Sequence, residues 1–125
     1  MISFPFKVGK AFLEASNHPI TIPQRNNTRL IEEVYQGKGN RSIPVRITPV
    51  QGRNLNGEIY YGVSSYGPYY QIKILGNYPG YYLGDLKIGD FVFITVKRVD
   101  NIIEVKIHSS AELRKNFDNF CNPAI

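Results

Sequence analysis

The chain has 125 residues, of which 42% are hydrophobic and 20% are charged, and its formal net charge is +5. This hydrophobic content is too high for a disordered tail, and no apolar run approaches the ~18 residues of a membrane span. One cysteine and two histidines exclude an internal disulfide framework and a structural zinc site. The length of the chain predicts a single domain over residues 1–125, which we expect to be monomeric. The first residues lack the apolar core of an export signal, so we predict a cytoplasmic location. We expect neither a membrane partner nor a small-molecule substrate.

The composition favours β structure, because the chain holds 9 Tyr, 7 Phe, 11 Gly and 8 Pro but no Trp. Such residues favour short strands separated by frequent turns. Pro44 and Pro49 restrict the third predicted strand to the edge of a sheet or to a bulge. The seven predicted strands are, in chain order, 4–8, 20–22, 42–48, 57–63, 69–76, 91–96 and 102–107. This number of short strands is typical of a barrel or a sandwich.

The last two predicted strands form the clearest hairpin, joined by a turn that contains Asp100 and Asn101. Along the second strand of this hairpin, Ile103, Val105 and Ile107 alternate with a polar side. We therefore predict that 103, 105 and 107 are buried and that the side ending at His108 faces water.

Two short helices are predicted outside the strands. The first, over 28–36, has apolar residues at helical spacing and ends at Gly37. The second begins at Ser109, which forms a capping box with Glu112, and carries one apolar stripe. These elements divide the domain into a barrel over 1–108 and a C-terminal helix over 109–121.

Positive charge is concentrated in the first half of the chain. Residues 1–57 hold eight basic and three acidic side chains, whereas the remainder holds seven of each. A segregated positive surface attracts polyanions, although a modest charge can also serve only solubility. Four basic residues and no acidic residue lie between 34 and 57, namely Lys38, Arg41, Arg46 and Arg53.

Asparagine, glutamine and arginine side chains cluster in the same half, mainly near 17–29 and 40–56. These side chains can form paired hydrogen bonds with base edges in the major groove, although asparagine is also common in turns. Eight of the nine tyrosines fall between Tyr60 and Tyr82. They could form a stacking platform for single strands, so a single-stranded nucleic-acid-binding barrel is an alternative function.

The order of these features resembles the DNA-binding pseudobarrel family, which includes the B3 domain of plant transcription factors and the N-terminal effector domain of EcoRII-type restriction endonucleases. The resemblance extends over about residues 4–108. Its sharpest parts are Ile22-Pro23 before Gln24-Arg25, and the pattern Leu-x-x-Gly-Asp-x-Val-Phe over residues 86–93. The other matching segments are 6–8, 20–21, 45–47, 60–65 and 69–72, with Leu83. Plant members carry a basic residue directly after the proline and have tryptophans, so Gln24 and the lack of Trp favour the restriction-enzyme branch.

The resemblance implies a mainly β fold, a seven-stranded open pseudobarrel with short peripheral helices, which grips duplex DNA by inserting two arms into the major groove. The first arm surrounds the second strand, and the second arm is the turn between the fourth and fifth strands, through Gly67. The implied base-contacting residues are Asn17, His18, Gln24, Arg25, Asn26, Ser64, Ser65 and Tyr66. From the distribution of basic residues, we predict that phosphates are contacted by Lys10, Lys38, Arg41, Arg46, Arg53 and Lys73.

A small magnesium-dependent nuclease is a second alternative, because Asp90 followed by Glu104-Val105-Lys106 imitates a metal-binding acid and an acid-x-Lys motif. Against it, Asp90 begins its strand, whereas Glu104 lies near the middle of the partner strand, so their register places them apart. We therefore predict a non-catalytic duplex-DNA recognition domain of a type II restriction endonuclease. It needs no cofactor or metal itself, and magnesium enters only with an attached nuclease domain.

Overall fold

The computed structural model describes residues 1–76 and 85–110. Within them the chain forms one seven-stranded sheet in the order β1-β6-β7-β3-β4-β5-β2, which curls into a nearly closed barrel. Neighbouring strands are antiparallel except β3 and β7, which are parallel. The strands are β1 Ile2–Lys7, β2 Ile20–Thr21, β3 Ile43–Thr48, β4 Leu55–Ser64, β5 Gly67–Ile74, β6 Phe91–Val99 and β7 Ile102–His108. All seven predicted strands are confirmed.

The barrel closes around side chains that alternate along each strand. On β7, Ile103, Val105 and Ile107 are buried, as their spacing predicts. On β5, Tyr70, Ile72 and Ile74 are buried in the same way, because successive side chains of a strand point to opposite faces. The inward side of each strand therefore fills the core, and the outward side is left to form surfaces.

Within residues 1–76 and 85–109, helical structure occurs in two short pieces. Helix α1 (Lys10–Glu14) follows β1 and buries Phe12. A continuous helical segment over 24–34 follows β2 and contains a 3₁₀ turn (Gln24–Asn26), one α turn (Asn27–Arg29) and a π turn (Leu30–Val34). It begins four residues before the predicted helix, directly after Pro23, which is its N-cap and has an extended backbone conformation. Neither piece is long enough to cross a membrane, and the described residues contain no other helix that could.

Two local predictions are wrong. Strand β3 is an interior strand, between β7 and β4. Pro44 is tolerated there because β7 pairs only with Arg46–Thr48, so no partner on that side needs the missing N–H of residue 44. His108 is buried rather than exposed, beside the equally buried Thr95 of β6, whose hydroxyl lies 3.2 Å from its Nε2 and satisfies this polar atom. The predicted helix over 109–121 lies, after Ser110, outside the described residues.

Two buried tyrosines give the stability of the fold a pH dependence. Burial raises the pKa of Tyr35, and the nearby Tyr70 raises it further. Burial and Tyr61 also raise the pKa of Tyr70. Because both pKa values are higher in the folded chain, their contribution to stability is complete below the ordinary tyrosine pKa of 10.0 and is lost as the pH rises above it.

We therefore expect the free energy of unfolding to fall above about pH 10 because unfolded tyrosines ionise first. Urea unfolding between pH 8 and 11 measures this fall. The Tyr35→Phe variant should show a shallower fall, whereas Tyr66→Phe, which alters an exposed ring, should match the unaltered chain. An identical slope for all three proteins would contradict the assignment to Tyr35.

Candidate nucleic-acid interface

The pairing of β2 with β5 places the segment after β2 beside the tip of the β4–β5 hairpin. Thr21 pairs with Gln71, and the N–H of Ile22 donates to the carbonyl of Tyr70 at 2.9 Å. The chain then turns at Pro23 and enters the helical segment. Because β2 and β5 are antiparallel, residues further along β2 lie opposite residues closer to Gly67 on β5. Gln24 therefore lies next to the tip of the hairpin.

A cleft of about 210 Å³ lies between these two segments. Gln24 and Asn27 line one side, and Ser64, Tyr66 and Gly67 line the other. The structure therefore brings together the stretches 24–26 and 64–66, which the sequence places 40 residues apart. The remaining lining residues are Thr21, Ile22, Pro23, Pro68 and Tyr69.

The hairpin tip is held by a hydrogen-bonded turn. Ser64 pairs with Gly67 at the end of the ladder, and Ser65 and Tyr66 form the turn between them. The Ser64 hydroxyl accepts from the N–H of Tyr66 at 3.2 Å and donates to the carbonyl of Gly67 at 3.3 Å. Gly67 has φ +107°, a backbone angle that favours glycine. The tip consequently presents Ser65 and Tyr66 outward, whereas the hydroxyl of Ser64 serves the turn.

Two amide oxygens beside the cleft lack a hydrogen-bond donor among the described residues. They belong to Asn26 and Asn27, and both atoms are buried. A buried acceptor without a partner costs about 1–3 kcal/mol, so few are retained without a reason. Both oxygens are enclosed in this structure, so a side chain must turn outward before its oxygen can accept a hydrogen bond from a group in the cleft.

Three exposed cations surround this end of the barrel: Arg25, Lys38 and Arg41. None of the three forms a salt bridge within the described residues, whereas Arg29 is bound to Glu33 at 2.7 Å. The loop that carries the last two is fixed to the barrel, because the Tyr70 hydroxyl donates to the carbonyl of Gly39. The positive charge at this end of the barrel is thus accessible to a ligand, and the loop that carries Lys38 and Arg41 is held in place.

Other predicted site residues lie at the opposite end of the barrel. The carbonyl of Asn17 accepts from the N–H of Ile74, at the far end of β5 from Gly67. At ~3.3 Å per residue, these ends of β5 are roughly 23 Å apart. Lys10, in α1, and Arg53, in the turn between β3 and β4, also lie at this far end. Lys10 is exposed, with its Nζ 3.9 Å from Glu14.

His18 is one of the predicted base-contacting residues, and the structure places it away from the exposed surface. Its side chain is buried, and Nδ1 lies 2.6 Å from the carbonyl oxygen of Phe12. The two rings also pack edge to face, with centroids 6.0 Å apart. His18 therefore holds the loop between β1 and β2 against the core.

The outer face of β4 and β5 connects the two ends. Tyr60 and Tyr69 are diagonal neighbours on this face, with ring centroids 6.1 Å apart. The Nζ of Lys73 lies 3.8 Å from the centroid of the Tyr60 ring. Arg46, on the exposed side of β3, continues the positive charge to the neighbouring strand.

The tyrosines do not form one stacking surface. Tyr70 is buried and Tyr61 is packed partly against the core, so both rings face inward. Tyr60 is covered on one side by Lys73 and contacts Tyr69. Tyr66 is exposed, and Tyr78, Tyr81 and Tyr82 lie outside the described residues. Within the described part, the platform expected for single strands is divided between two faces.

The arrangement expected of a nuclease is also divided. The carboxylate of Asp90 accepts from the N–H of Lys87 at 2.9 Å and so closes the turn before β6. Glu104 pairs in register with Lys97, seven residues along β6 from Asp90. This corresponds to a separation of roughly 23 Å along the strand. The register thus places the two carboxylates apart, as predicted.

Sequence reasoning missed Thr21, Pro68 and Asn27 as lining residues of the cleft. The signal for Asn27 was its place in the polar cluster, next to Asn26. The other two could be found only by knowing that β2 pairs with β5, because Thr21 and Pro68 are far apart in the chain.

One solved structure with this fold is described as an Arabidopsis FUS3–DNA complex, and its protein is a plant B3-domain transcription factor. The similarity covers 85% of this chain and 95% of that chain, with a TM-score of 0.54 and 13% sequence identity. No protein-family model and no curated protein matches the sequence. At this identity the similarity concerns the fold, and the chain has the B3-like pseudobarrel fold that its sequence resembles.

Proposed function

We propose that this chain is a duplex-DNA recognition domain that reads base sequence through the major groove. The observation that carries the proposal is the cleft in which Gln24 and Asn27 meet the tip of the β4–β5 hairpin. A two-stranded ribbon fits the major groove, which is about 12 Å wide, and glutamine, asparagine and arginine can pair with base edges there. The fold shared with the protein of the FUS3–DNA complex supports the same function.

In the proposed complex, the tip of the β4–β5 hairpin enters the major groove, and the duplex continues along the outer face of these two strands. Gln24, Arg25, Asn26, Ser65 and Tyr66 contact bases at the hairpin end. Once their side chains turn outward, the amide oxygens of Asn26 and Asn27 would accept hydrogen bonds from the amino groups of adenine or cytosine, the base donors in the major groove. Asn17 flanks the far end of the face, and phosphates are bound by Lys10, Lys38, Arg41, Arg46, Arg53 and Lys73.

We further propose that the domain serves a type II restriction endonuclease and acts in the cytoplasm as a monomer. The support is the sequence resemblance to the restriction-enzyme branch, with Gln24 directly after Pro23 and no tryptophan. Cleavage is assigned to a separate nuclease domain with its magnesium. Incubating plasmid with this chain and magnesium tests this assignment, and we expect no cleavage. If the plasmid is cut, and the Glu104→Ala variant no longer cuts it, catalysis lies in this domain instead.

A competition assay separates duplex recognition from single-strand binding. Labelled duplexes enriched from a randomised pool are challenged with unlabelled duplex or with single strands of the same sequence. We expect the duplex to compete far better, because the groove-reading side chains need paired bases, whereas a stacking site prefers splayed bases. Better competition by single strands would favour the alternative barrel function.

The salt dependence of binding tests how far the duplex extends across the barrel. Arg41 lies at the hairpin end and Arg53 at the far end, so a duplex that spans the face contacts both. We expect Arg41→Ala and Arg53→Ala each to weaken all sequences similarly and to lower the slope of log K against log salt by about one unit. Titrations at several salt concentrations measure this slope.

Lys97→Ala is the matched control, since Lys97 is exposed on β6, away from the proposed face. It should leave the slope unchanged. A lower slope for Arg41→Ala alone would confine the duplex to the hairpin end. Unchanged slopes for both arginine variants would remove both side chains from the contact surface.

A further inference from the structure

The tip of the β4–β5 hairpin carries apolar side chains that continue the core-facing side of its strands beyond the end of the barrel. On β4, Ile59 is buried, and Val63 lies on the same side four residues later. Val63 pairs directly with Pro68, which lies on the side of β5 that buries Tyr70. Val63 is nevertheless 70% exposed, because the core does not extend to the tip.

Tyr66 adds a third apolar surface at the same place. Its side chain is 91% exposed in the turn between the two strands. The one hydroxyl of the last ladder pair, that of Ser64, is engaged within the turn. Beyond its backbone and Ser65, the tip presents the side chains of Val63 and Pro68 and the aromatic ring of Tyr66 with its hydroxyl. We call Val63, Pro68 and the ring of Tyr66 the apolar tip.

Scattered exposed apolar side chains are normal on protein surfaces. The apolar tip differs because its members are adjacent, project from a hairpin, and lie at the cationic end of the barrel, near Arg25 and Arg41. Positive charge at this end selects a polyanion as the partner, rather than an apolar protein surface or a second copy of this basic chain.

The edges of base pairs in the major groove offer one apolar group, the C5-methyl of thymine. 5-Methylcytosine carries the same methyl on the same ring carbon. We infer that the apolar tip reads a pyrimidine C5-methyl group in the bound duplex, so that the preferred site contains a thymine whose methyl contacts Val63. This inference rests on the proposed function and specifies the chemical group that the hairpin recognises.

Replacing each thymine of the preferred duplex in turn by deoxyuridine removes only its methyl group and tests the inference directly. We expect about a fourfold loss of affinity at one or more thymines, because burial of one methyl-sized group is worth ~0.8 kcal/mol. At the same position, a 5-methylcytosine–guanine pair should bind better than a cytosine–guanine pair by a similar factor.

The Val63→Ala variant should bind the thymine and deoxyuridine duplexes equally. Val99→Ala is the matched control: it makes the same change at a 41% exposed valine at the end of β6, and it should retain the deoxyuridine penalty. Equal urea midpoints would show that both variants fold, and the deoxyuridine series on the unaltered chain needs no variant.

The outcomes distinguish this inference from the proposed function. Equal affinity for every deoxyuridine duplex, a preferred site without an invariant thymine, or a penalty that persists in Val63→Ala would overturn the inference while leaving duplex recognition intact. If no duplex is preferred over random sequence, both proposals fail.

Discussion

Replacing Arg25 with alanine is expected to weaken binding to the preferred duplex by about 1–3 kcal/mol, or roughly fivefold to 150-fold. Arg25 is exposed, follows Gln24 of the cleft, and forms no salt bridge within the described residues. An arginine at this position can form two hydrogen bonds with a guanine, so its loss should also relax discrimination at one base pair. Affinities for the preferred duplex and for every single-base variant of it measure both effects.

Arg29→Ala is the control for Arg25→Ala, because it removes the same charge from the same helical segment. Arg29 is held by Glu33 and by the carbonyl of Met1, so its loss should change affinity much less. Equal losses on preferred and random duplexes would make Arg25 a phosphate contact. An unchanged affinity would remove Arg25 from the interface.

The largest expected effect on stability belongs to Phe12→Ala, at about 3–5 kcal/mol. Phe12 is 2% exposed, and its ring packs against Phe6 with centroids 5.3 Å apart and against His18. Removing the ring leaves a cavity under the loop between β1 and β2, which carries Lys10 and Asn17. Urea unfolding measures the loss, and DNA titration at low temperature measures its effect on this flank of the proposed interface.

Lys10→Ala serves as the control in the same helix. Its side chain is exposed, and its ion pair with Glu14 is long, so its loss should change the free energy of unfolding by less than ~0.5 kcal/mol. A loss below 1 kcal/mol for Phe12→Ala would mean that this ring does not anchor the loop.

Local patterns were sufficient to predict the strands, because alternating burial and turn residues both act over a few residues. The alternation of Ile103, Val105 and Ile107 identified their buried side correctly. The prediction that β3 lies at an edge was wrong, because local patterns do not reveal the parallel pairing of Arg46–Thr48 with β7, which joins segments more than 50 residues apart. The prediction that His108 is exposed was wrong for a related reason, because its partner, Thr95, lies on a different strand.

The candidate site was predictable in its residue types but not in its arrangement. The cluster of polar donors drew attention to Gln24 and Arg25, and the family resemblance drew attention to the tip at Ser65. Only the pairing of β2 with β5 shows that these residues meet, whereas Asn17, only seven positions before Gln24, lies at the other end of the barrel. Spacing along the chain cannot reveal this, because β2 carries the chain from one end to the other within a few residues.

Amide NMR spectra of the chain during titration with the selected duplex test most directly whether the cleft is the reading site. We expect the largest shift changes in residues 21–27 and 63–69, with smaller changes along the outer face of β5 and none on β6. Changes concentrated on β6 and β7, with the cleft unaffected, would contradict the proposed interface.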